Sequence, residues 1–147
     1  MTITYLDVET TFVVDENRRT DPSPFNANNK LVSVQHSHDN GPIQFNWFYH
    51  KDMDEMASEM TVGESFNLVQ DVLDKTTVLI GHNIKFDLMW LWESGFNYEG
   101  QVYDTMIGEY TLLRGQKWGL SLFDSCVRRK VALKKSDLIH NYMKDGI

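Results

Sequence analysis

Several features are scarce in this sequence, and each scarcity excludes a class of protein. A single cysteine, Cys126, excludes an internal disulfide framework, and one thiol with five scattered histidines offers no recognisable zinc-ligand spacing. No apolar run approaches the length of a membrane span, and the N-terminus lacks the basic-then-apolar pattern of a signal peptide. These absences predict a cytoplasmic protein that does not interact with a membrane.

Positive charge is also scarce, because 21 acidic residues outnumber 14 basic ones and the formal net charge is −7. This balance argues against a protein that binds nucleic acid by bulk electrostatics. It does not exclude a nucleic-acid enzyme, since bound cations reverse the local sign of an acidic site. The length of 147 residues, with 41% hydrophobic residues, predicts one folded domain spanning residues 1–147.

Hydrophobic patterning predicts an α/β fold with a mixed sheet. Strands are expected at the opening from Ile3 and at residues 31–35, 43–49 and 77–81, with an amphipathic helix at residues 64–75. The first three strands form an antiparallel meander, and the helix connects it to a parallel strand. Residues 13–29 are expected to form a long surface loop, and residues 52–59 a solvated loop or a short helix face. Trp47, Phe48 and Tyr49 are interpreted as core or sheet-face aromatics.

Two carboxylates, Asp7 and Glu9, follow the opening strand one residue apart. Alternate residues of a strand point to the same side, so these side chains can converge on one point. Adjacent carboxylates repel each other, and a shared proton or a divalent cation relieves the repulsion. An ordinary exposed strand end has the same pattern, so the pair needs a partner elsewhere in the chain.

A third carboxylate, Asp87, follows the buried strand at residues 77–81. Asn83 is a good helix N-cap, and the apolar pattern predicts a helix that continues to about Trp92, with Asp87 in its first turn. Ligand sites of open α/β sheets collect at the carboxyl ends of the strands. Favourable interaction with the helix dipole would also explain an acid here. Together with Asp7 and Glu9, Asp87 favours a functional site.

Four stretches, in order along the chain, resemble motifs of one enzyme family. The stretch Asp7-Val8-Glu9-Thr10-Thr11 is similar to the first motif, and Asn83-Ile84-Lys85-Phe86-Asp87 to the second, of the DEDD (DnaQ-like) 3′–5′ exonucleases. The likeness is closest to the proofreading domain of bacteriophage and bacterial family A DNA polymerases. The stretch from Tyr103 to Tyr110 resembles the next helix of that family, and Leu120-Ser121-Leu122 the start of another.

The resemblance implies a fold, a chemistry and a set of site residues. The fold is a ribonuclease-H-like α/β domain, in which three antiparallel strands and additional parallel strands are flanked by helices. Asp7, Glu9 and Asp87 would be catalytic residues that hold two Mg²⁺ or Mn²⁺ ions. The reaction would release nucleoside 5′-monophosphates from the 3′ end of single-stranded DNA. The candidates for substrate binding are Thr10, Asn83, Phe86 and Asp104.

The sequence departs from the family at the third motif, which supplies a fourth carboxylate as Tyr-x-x-x-Asp or His-x-x-x-x-Asp. Four residues after Tyr142 is Gly146, so the first spacing is missing. His140 and Asp145 match the second spacing and are candidate catalytic residues, although His140 equally suits the surface of an amphipathic helix. We expect the third motif to be absent, the domain to be C-terminally incomplete, and a DNA polymerase chain to be a partner.

Two other functions remain open at this point. A non-catalytic module of the same fold would bind a nucleic-acid end or a polymerase, and would cut only with a partner that supplies the third motif. An RNA-directed exonuclease is the other alternative, because nothing in the sequence indicates recognition of the 2′-hydroxyl. The basic cluster Arg128-Arg129-Lys130 fits a phosphate backbone, an acidic partner or a solvated helix end. A viral source would place the protein in the host cytoplasm.

Overall fold

The computed structural model describes residues 1–49 and 55–131, with only the backbone described for residues 55–61. The chain divides into two compact units, an N-terminal unit (Met1–Thr105) and a C-terminal unit (Met106–Ile147). Its elements, in chain order, are β1 (Ile3–Thr10), β2 (Val13–Val14), β3 (Thr20–Asp21), β4 (Leu31–His38), β5 (Gln44–Trp47), α1 (Glu55–Lys75), β6 (Val78–Gly81), α2 (Ile84–Glu93), β7 (Gln101–Asp104), α3 (Thr105–Leu112) and α4 (Leu122–Arg129).

The N-terminal unit is built on a five-stranded mixed sheet with the strand order β5-β4-β1-β6-β7. Strands β5, β4 and β1 form the antiparallel meander, and β6 and β7 add to it in parallel. This arrangement confirms the expected ribonuclease-H-like α/β fold. Its central strand is β1, which pairs with β4 on one side and β6 on the other.

The alternation of β1 separates the core from the acidic face. Thr4, Leu6 and Val8 are buried, whereas Tyr5, Asp7 and Glu9 are exposed on the opposite face. Leu6 and Val8 join one apolar core, which also includes Val34, Val69, Leu73, Leu79, Leu88 and Leu91. Burial of this row fixes the register of the strand, since a one-residue slip would turn the acids into the core.

Several predicted elements differ in extent from those observed. Residues 13–29 are not wholly loop, because β2 and β3 pair within them as a short hairpin. Helix α1 begins at Glu55, nine residues before the predicted start at Glu64. The prediction missed residues 55–63 because they lack the apolar repeat that marks the rest of the helix. Strand β7 was not predicted, since all but the last of its four residues are exposed and show no alternation. Of the three aromatics, Phe48 packs against the core, whereas Trp47 and Tyr49 are exposed.

The described part of the C-terminal unit contains most of α3, all of α4 and an ion cluster around the buried Glu109. Ser121 caps α4, its hydroxyl accepting the N–H of Asp124 at 3.1 Å. At the other end of the helix, Arg128 Nε and Arg129 Nε donate to the two carboxylate oxygens of Glu109 at 2.7 and 3.0 Å. The guanidiniums of the predicted basic cluster are therefore ion-paired. No helix in the described part of the chain is long and apolar enough to cross a bilayer.

Candidate active site

Asp7 and Glu9 lie in the part of β1 that extends beyond its parallel neighbour β6. Strand β6 pairs with β1 only along Ile3–Tyr5, so the carboxyl half of β1 is bordered on that side by the start of α2. On the other side, the pairing with β4 shifts register between Glu9 and Thr10. Such irregularities terminate pairing and redirect side chains at the edges of sheets. Both acids are exposed there, on one face of the strand.

Asp87, on α2, contacts β1 at Val8, which lies 79 residues earlier in the chain. Asp87 lies in the first turn of α2, as predicted, and the residue is 3% exposed. The backbone N–H of Val8 donates to Asp87 Oδ1 at 2.9 Å. Because Val8 separates Asp7 from Glu9, this hydrogen bond brings the third carboxylate to the segment that carries the other two.

The surroundings of Asp87 disfavour its charged form. Burial raises the pKa of Asp87 to about 7, and the negative charges of Asp7 and Asp104 act in the same direction. The hydrogen bond from Val8 opposes the rise of this pKa without cancelling it. A cation placed beside Asp87 would favour its ionised carboxylate.

The turn between β6 and α2 does not use the predicted side-chain cap. Asn83 immediately precedes α2, but its backbone is left-handed, with φ 58° and ψ 43°, and its side chain makes no capping hydrogen bond. The amide N–H of Asn83 instead donates to Asp104 Oδ1 at 3.0 Å. Asn83 is the N-cap residue of α2, as predicted, but its side chain does not make the capping bond, and the carboxylate that bonds this turn comes from the end of β7.

The comparisons with known proteins assign this domain to a family. The family model of the 3′–5′ exonuclease of A-type DNA polymerases matches residues 18–145, which is most of the chain. The chain belongs to this 3′–5′ exonuclease family. The matched residues of the exonuclease domain include Asn83, Asp87 and Asp104, and they begin after Asp7 and Glu9.

Among solved structures, the exonuclease domain is similar to part of a family B DNA polymerase from the hyperthermophilic archaeon Pyrobaculum calidifontis. The identity is 18% and the TM-score 0.41, over 63% of this chain and 10% of the polymerase chain. The chain thus spans about a tenth of that relative. A search of curated proteins gave no significant match.

The predicted site residues of the exonuclease domain are only partly brought together. Asp7, Glu9 and Thr10 lie in the last four residues of β1, while Asn83 and Asp87 flank the start of α2. Phe86 is partly buried and packs against the core. His140 and Asp145 lie outside the described residues. Sequence reasoning missed the contact between Asp104 and Asn83, because Asp104 ends β7, a strand that the sequence pattern did not predict.

The donor chemistry at this site fits a hard divalent cation. Asp7, Glu9 and Asp87 offer carboxylate oxygens, the ligands that Mg²⁺ and Mn²⁺ take in proteins. The raised pKa of Asp87, next to the charge of Asp7, indicates a surplus of negative charge that a cation would neutralise. Among the side chains of residues 1–49 and 62–131, no three of His, Cys, Asp or Glu already stand close enough to enclose a metal ion. Binding would therefore need small side-chain movements or ligands from outside these ranges.

Proposed function

We propose that the chain is a metal-dependent 3′–5′ exonuclease that removes nucleoside 5′-monophosphates from single-stranded DNA ends, as the proofreading domain of a DNA polymerase. Its membership of the exonuclease family supports the reaction class. The observation that carries the proposal is the buried carboxylate of Asp87, bonded to Val8 between the exposed acids Asp7 and Glu9. This arrangement suits phosphodiester hydrolysis, in which negative charge develops on oxygens beside the site.

In this proposal Asp7, Glu9 and Asp87 hold two Mg²⁺ or Mn²⁺ ions. Bound divalent ions supply an activated water and stabilise the departing 3′ oxygen. Asp87 is ionised when a cation binds, and the N–H of Val8 keeps its carboxylate oriented toward β1. Thr10 and Asn83 are proposed to hold the terminal nucleotide, and Phe86 would contribute an apolar contact.

The remaining catalytic group is proposed to come from outside the described residues. His140, with Asp145, would orient or deprotonate the attacking water, or a polymerase chain would supply the missing third motif. The resemblance to bacteriophage polymerases supports a viral source, with the host cytoplasm as the compartment. A module that binds DNA without cutting is the alternative, and it is favoured if the 147-residue chain binds metal without turnover.

Digestion of a 5′-labelled single-stranded DNA oligonucleotide tests the proposal. The chain is incubated with Mg²⁺ or Mn²⁺, beside reactions with EDTA, with Asp7→Ala and with Asp71→Asn, which alters an exposed acid on α1. We expect a metal-dependent ladder that shortens from the 3′ end, lost in Asp7→Ala and retained in Asp71→Asn. No cleavage by folded, metal-bound protein would contradict the stand-alone enzyme and support the binding module.

Two further comparisons refine the assignment. Loss of the ladder in His140→Ala would assign the weak third motif a role, whereas unchanged activity would exclude it. Equal digestion of DNA and RNA oligonucleotides of one sequence would contradict the proposed preference for DNA, because only RNA carries the 2′-hydroxyl.

A further inference from the structure

The turn that leads into α2 holds Asn83 in a left-handed conformation, and the backbone N–H of Phe86 donates to the Asn83 carbonyl at 3.0 Å. Asn83 is left-handed, a region in which L-residues other than glycine are strained, although asparagine tolerates it better than most. Its side chain makes no hydrogen bond to the first turn of the helix. The backbone N–H of Asn83 is bonded from outside the turn, and Asn83 is the residue from which α2, the helix that carries Asp87, starts.

Two consecutive residues at the end of β7 provide those contacts. Asp104 Oδ1 accepts the N–H of Asn83 at 3.0 Å. Thr105 Oγ1 donates to the carbonyl of Gly81 at 3.1 Å and lies 2.9 Å from His82 Nδ1. Because the single hydroxyl proton is used on Gly81, His82 Nδ1 must be the donor in the second bond. Three successive residues of the turn, Gly81 to Asn83, are thus each bonded to Asp104 or Thr105.

The contact of Asp104 is the stronger type of hydrogen bond. A backbone N–H that donates to an ionised carboxylate makes a charge-assisted bond, about twice as strong as a neutral one. Strand β7 is itself held in the sheet, and Gly81 and Asp104 are register partners where β6 and β7 end. Asp104 therefore connects a fixed point of the sheet to the one residue of the turn that is left-handed.

We propose that Asp104 is a positioning residue, whose carboxylate holds Asn83 in its left-handed conformation and so aims Asp87 at the N–H of Val8. This role replaces the contact with substrate that the sequence suggested for Asp104, and its consequence for catalysis rests on the proposed exonuclease function. The geometry alone carries this role, because the carboxylate of Asp104 bonds the residue before α2, and Asp87 in the first turn of that helix accepts the N–H of Val8.

The test compares Asp104→Ala, which removes the acceptor, with Asp104→Asn, which keeps an acceptor oxygen without the charge. Glu99→Ala, at an exposed acid two residues before β7, is the matched control. The first readout is hydrogen exchange at the backbone N–H of Asn83, which needs neither metal nor activity. We expect Asp104→Ala to exchange at least about 10-fold faster, the factor for a bond to a charged group. Asp104→Asn should fall between the two, and Glu99→Ala should match the wild type.

The second readout is Mn²⁺ affinity, because residues that orient ligands change metal affinity by about 10–100-fold when removed. We expect Asp104→Ala to weaken Mn²⁺ binding within that range, and Asp104→Asn to recover most of the loss. Adding Asn83→Gly to Asp104→Ala should also restore part of the affinity, since glycine adopts the left-handed conformation without strain. If the charge of Asp104 instead attracted Mn²⁺ directly, neither Asp104→Asn nor the added Asn83→Gly would restore Mn²⁺ affinity.

The outcomes separate this proposal from the exonuclease function. Unchanged amide exchange in Asp104→Ala, or the absence of rescue by both Asp104→Asn and Asn83→Gly, would overturn the positioning role. If Asp104→Ala fails to fold, the exchange rate of the Asn83 amide in Asp104→Asn and in Thr105→Val decides, and wild-type rates in both would overturn the role. If the wild-type chain does not bind Mn²⁺, the proposed function fails, while the exchange experiment still tests how the turn is held.

Discussion

Asp87 in the N-terminal unit and Glu109 in the C-terminal unit are buried to a similar degree, with 3% and 6% of their surface exposed. Their titration differs in direction. Burial raises the pKa of Asp87 to about 7, whereas hydrogen bonds from Arg128 and then Arg129 hold the pKa of Glu109 below its usual range. The two carboxylates therefore show how one chain treats buried negative charge in two ways.

The difference lies in what surrounds each carboxylate. Glu109 is bonded by two guanidiniums, so its charge is neutralised within the chain. Asp87 is bonded by the neutral N–H of Val8 and is close enough to Asp7 and Asp104 to be affected by their charges. Neutralisation within the chain suits a structural role, whereas a buried acid next to other acids suits a site that receives a cation from solution. We therefore expect substitutions at the two positions to have opposite effects on stability.

The largest predicted effect is on activity, for Asp87→Asn. The variant keeps an oxygen for the N–H of Val8 but removes the charge that would bind the metal. Substitution of residues that only support metal ligands already lowers metal affinity or activity by about 10–100-fold. For the ligand Asp87 itself, we therefore expect kcat/KM for a single-stranded DNA oligonucleotide to fall at least about 100-fold. Asp71→Asn serves as the control. Activity of Asp87→Asn within a few-fold of the wild type would break the comparison, because Asp87 would then be structural, like Glu109.

The next effect is on stability, and it changes with pH. Because the pKa of Asp87 is raised from its ordinary 3.8 to about 7, the folded chain binds more protons than the unfolded chain between these values. The free energy of unfolding in EDTA should therefore fall as pH rises from about 4 to about 7, and then level off. The full rise of the pKa corresponds to about 4 kcal/mol, so Asp87→Asn should be more stable than the wild type at pH 8.

The pH dependence of the unfolding free energy has to be compared between wild type and Asp87→Asn, because His36 changes this free energy with pH in the opposite direction to Asp87. Burial lowers the pKa of His36, so its contribution to stability is lost as pH falls below its ordinary 6.5. Subtracting the curve of Asp87→Asn from that of the wild type isolates Asp87. Urea unfolding in EDTA, followed at several pH values, gives both curves. Parallel curves would contradict the uncompensated burial of Asp87.

At Glu109 the predicted sign is reversed. Glu109→Gln leaves Arg128 and Arg129 without the charge that they share, so we expect a lower Tm at pH 7. The pKa of Glu109 is lowered, so this stabilisation is present above the ordinary value of 4.5 and is lost as pH falls through the lowered pKa. The deficit in Tm should therefore shrink at low pH. Glu93→Gln, at an exposed end of α2, should leave Tm unchanged; a Tm of Glu109→Gln at or above that of the wild type would sink the structural role.

The smallest predicted effect compares the two helix starts. Ser121 caps α4 with its own hydroxyl, whereas the turn before α2 depends on Asp104. Ser121→Ala should cost about 1 kcal/mol of unfolding free energy without changing exonuclease activity, and Ser121→Thr, which keeps a hydroxyl beside Asp124, should retain most of the stability. Equal stability of Ser121→Ala and wild type would show that α4 does not depend on this cap.

Much of the sheet was predictable because β1, β4 and β6 carry clear patterns. Thr4, Leu6 and Val8 alternate with exposed residues in β1, and β6 is a short apolar strand. Strand β7 escaped prediction, because most of its residues are exposed and its place depends on pairing with β6. The spacing of apolar residues reveals a strand or helix only when one of its faces is buried, so it does not detect an element that hydrogen bonding alone holds in place.

The site was predictable in part for a different reason. The position of Asp87 in the first turn of α2, after a parallel strand, follows from local pattern and fold topology. The bond from Val8 to Asp87 and the ion cluster at Glu109 join residues 79 and 19 or 20 positions apart. A single sequence contains no direct signal for such pairs. The left-handed Asn83 was missed because asparagine is also a common side-chain cap.

Calorimetric titration of the 147-residue chain with Mn²⁺ at pH 8 tests the central claim most directly. At this pH Asp87 is mostly ionised, so a cation site built on its charge should bind without the need to displace a proton. We predict saturable binding by the wild type and by Asp71→Asn, and loss of that binding in Asp87→Asn. Equal binding by Asp87→Asn and the wild type, or no binding by the folded wild type, would contradict the account.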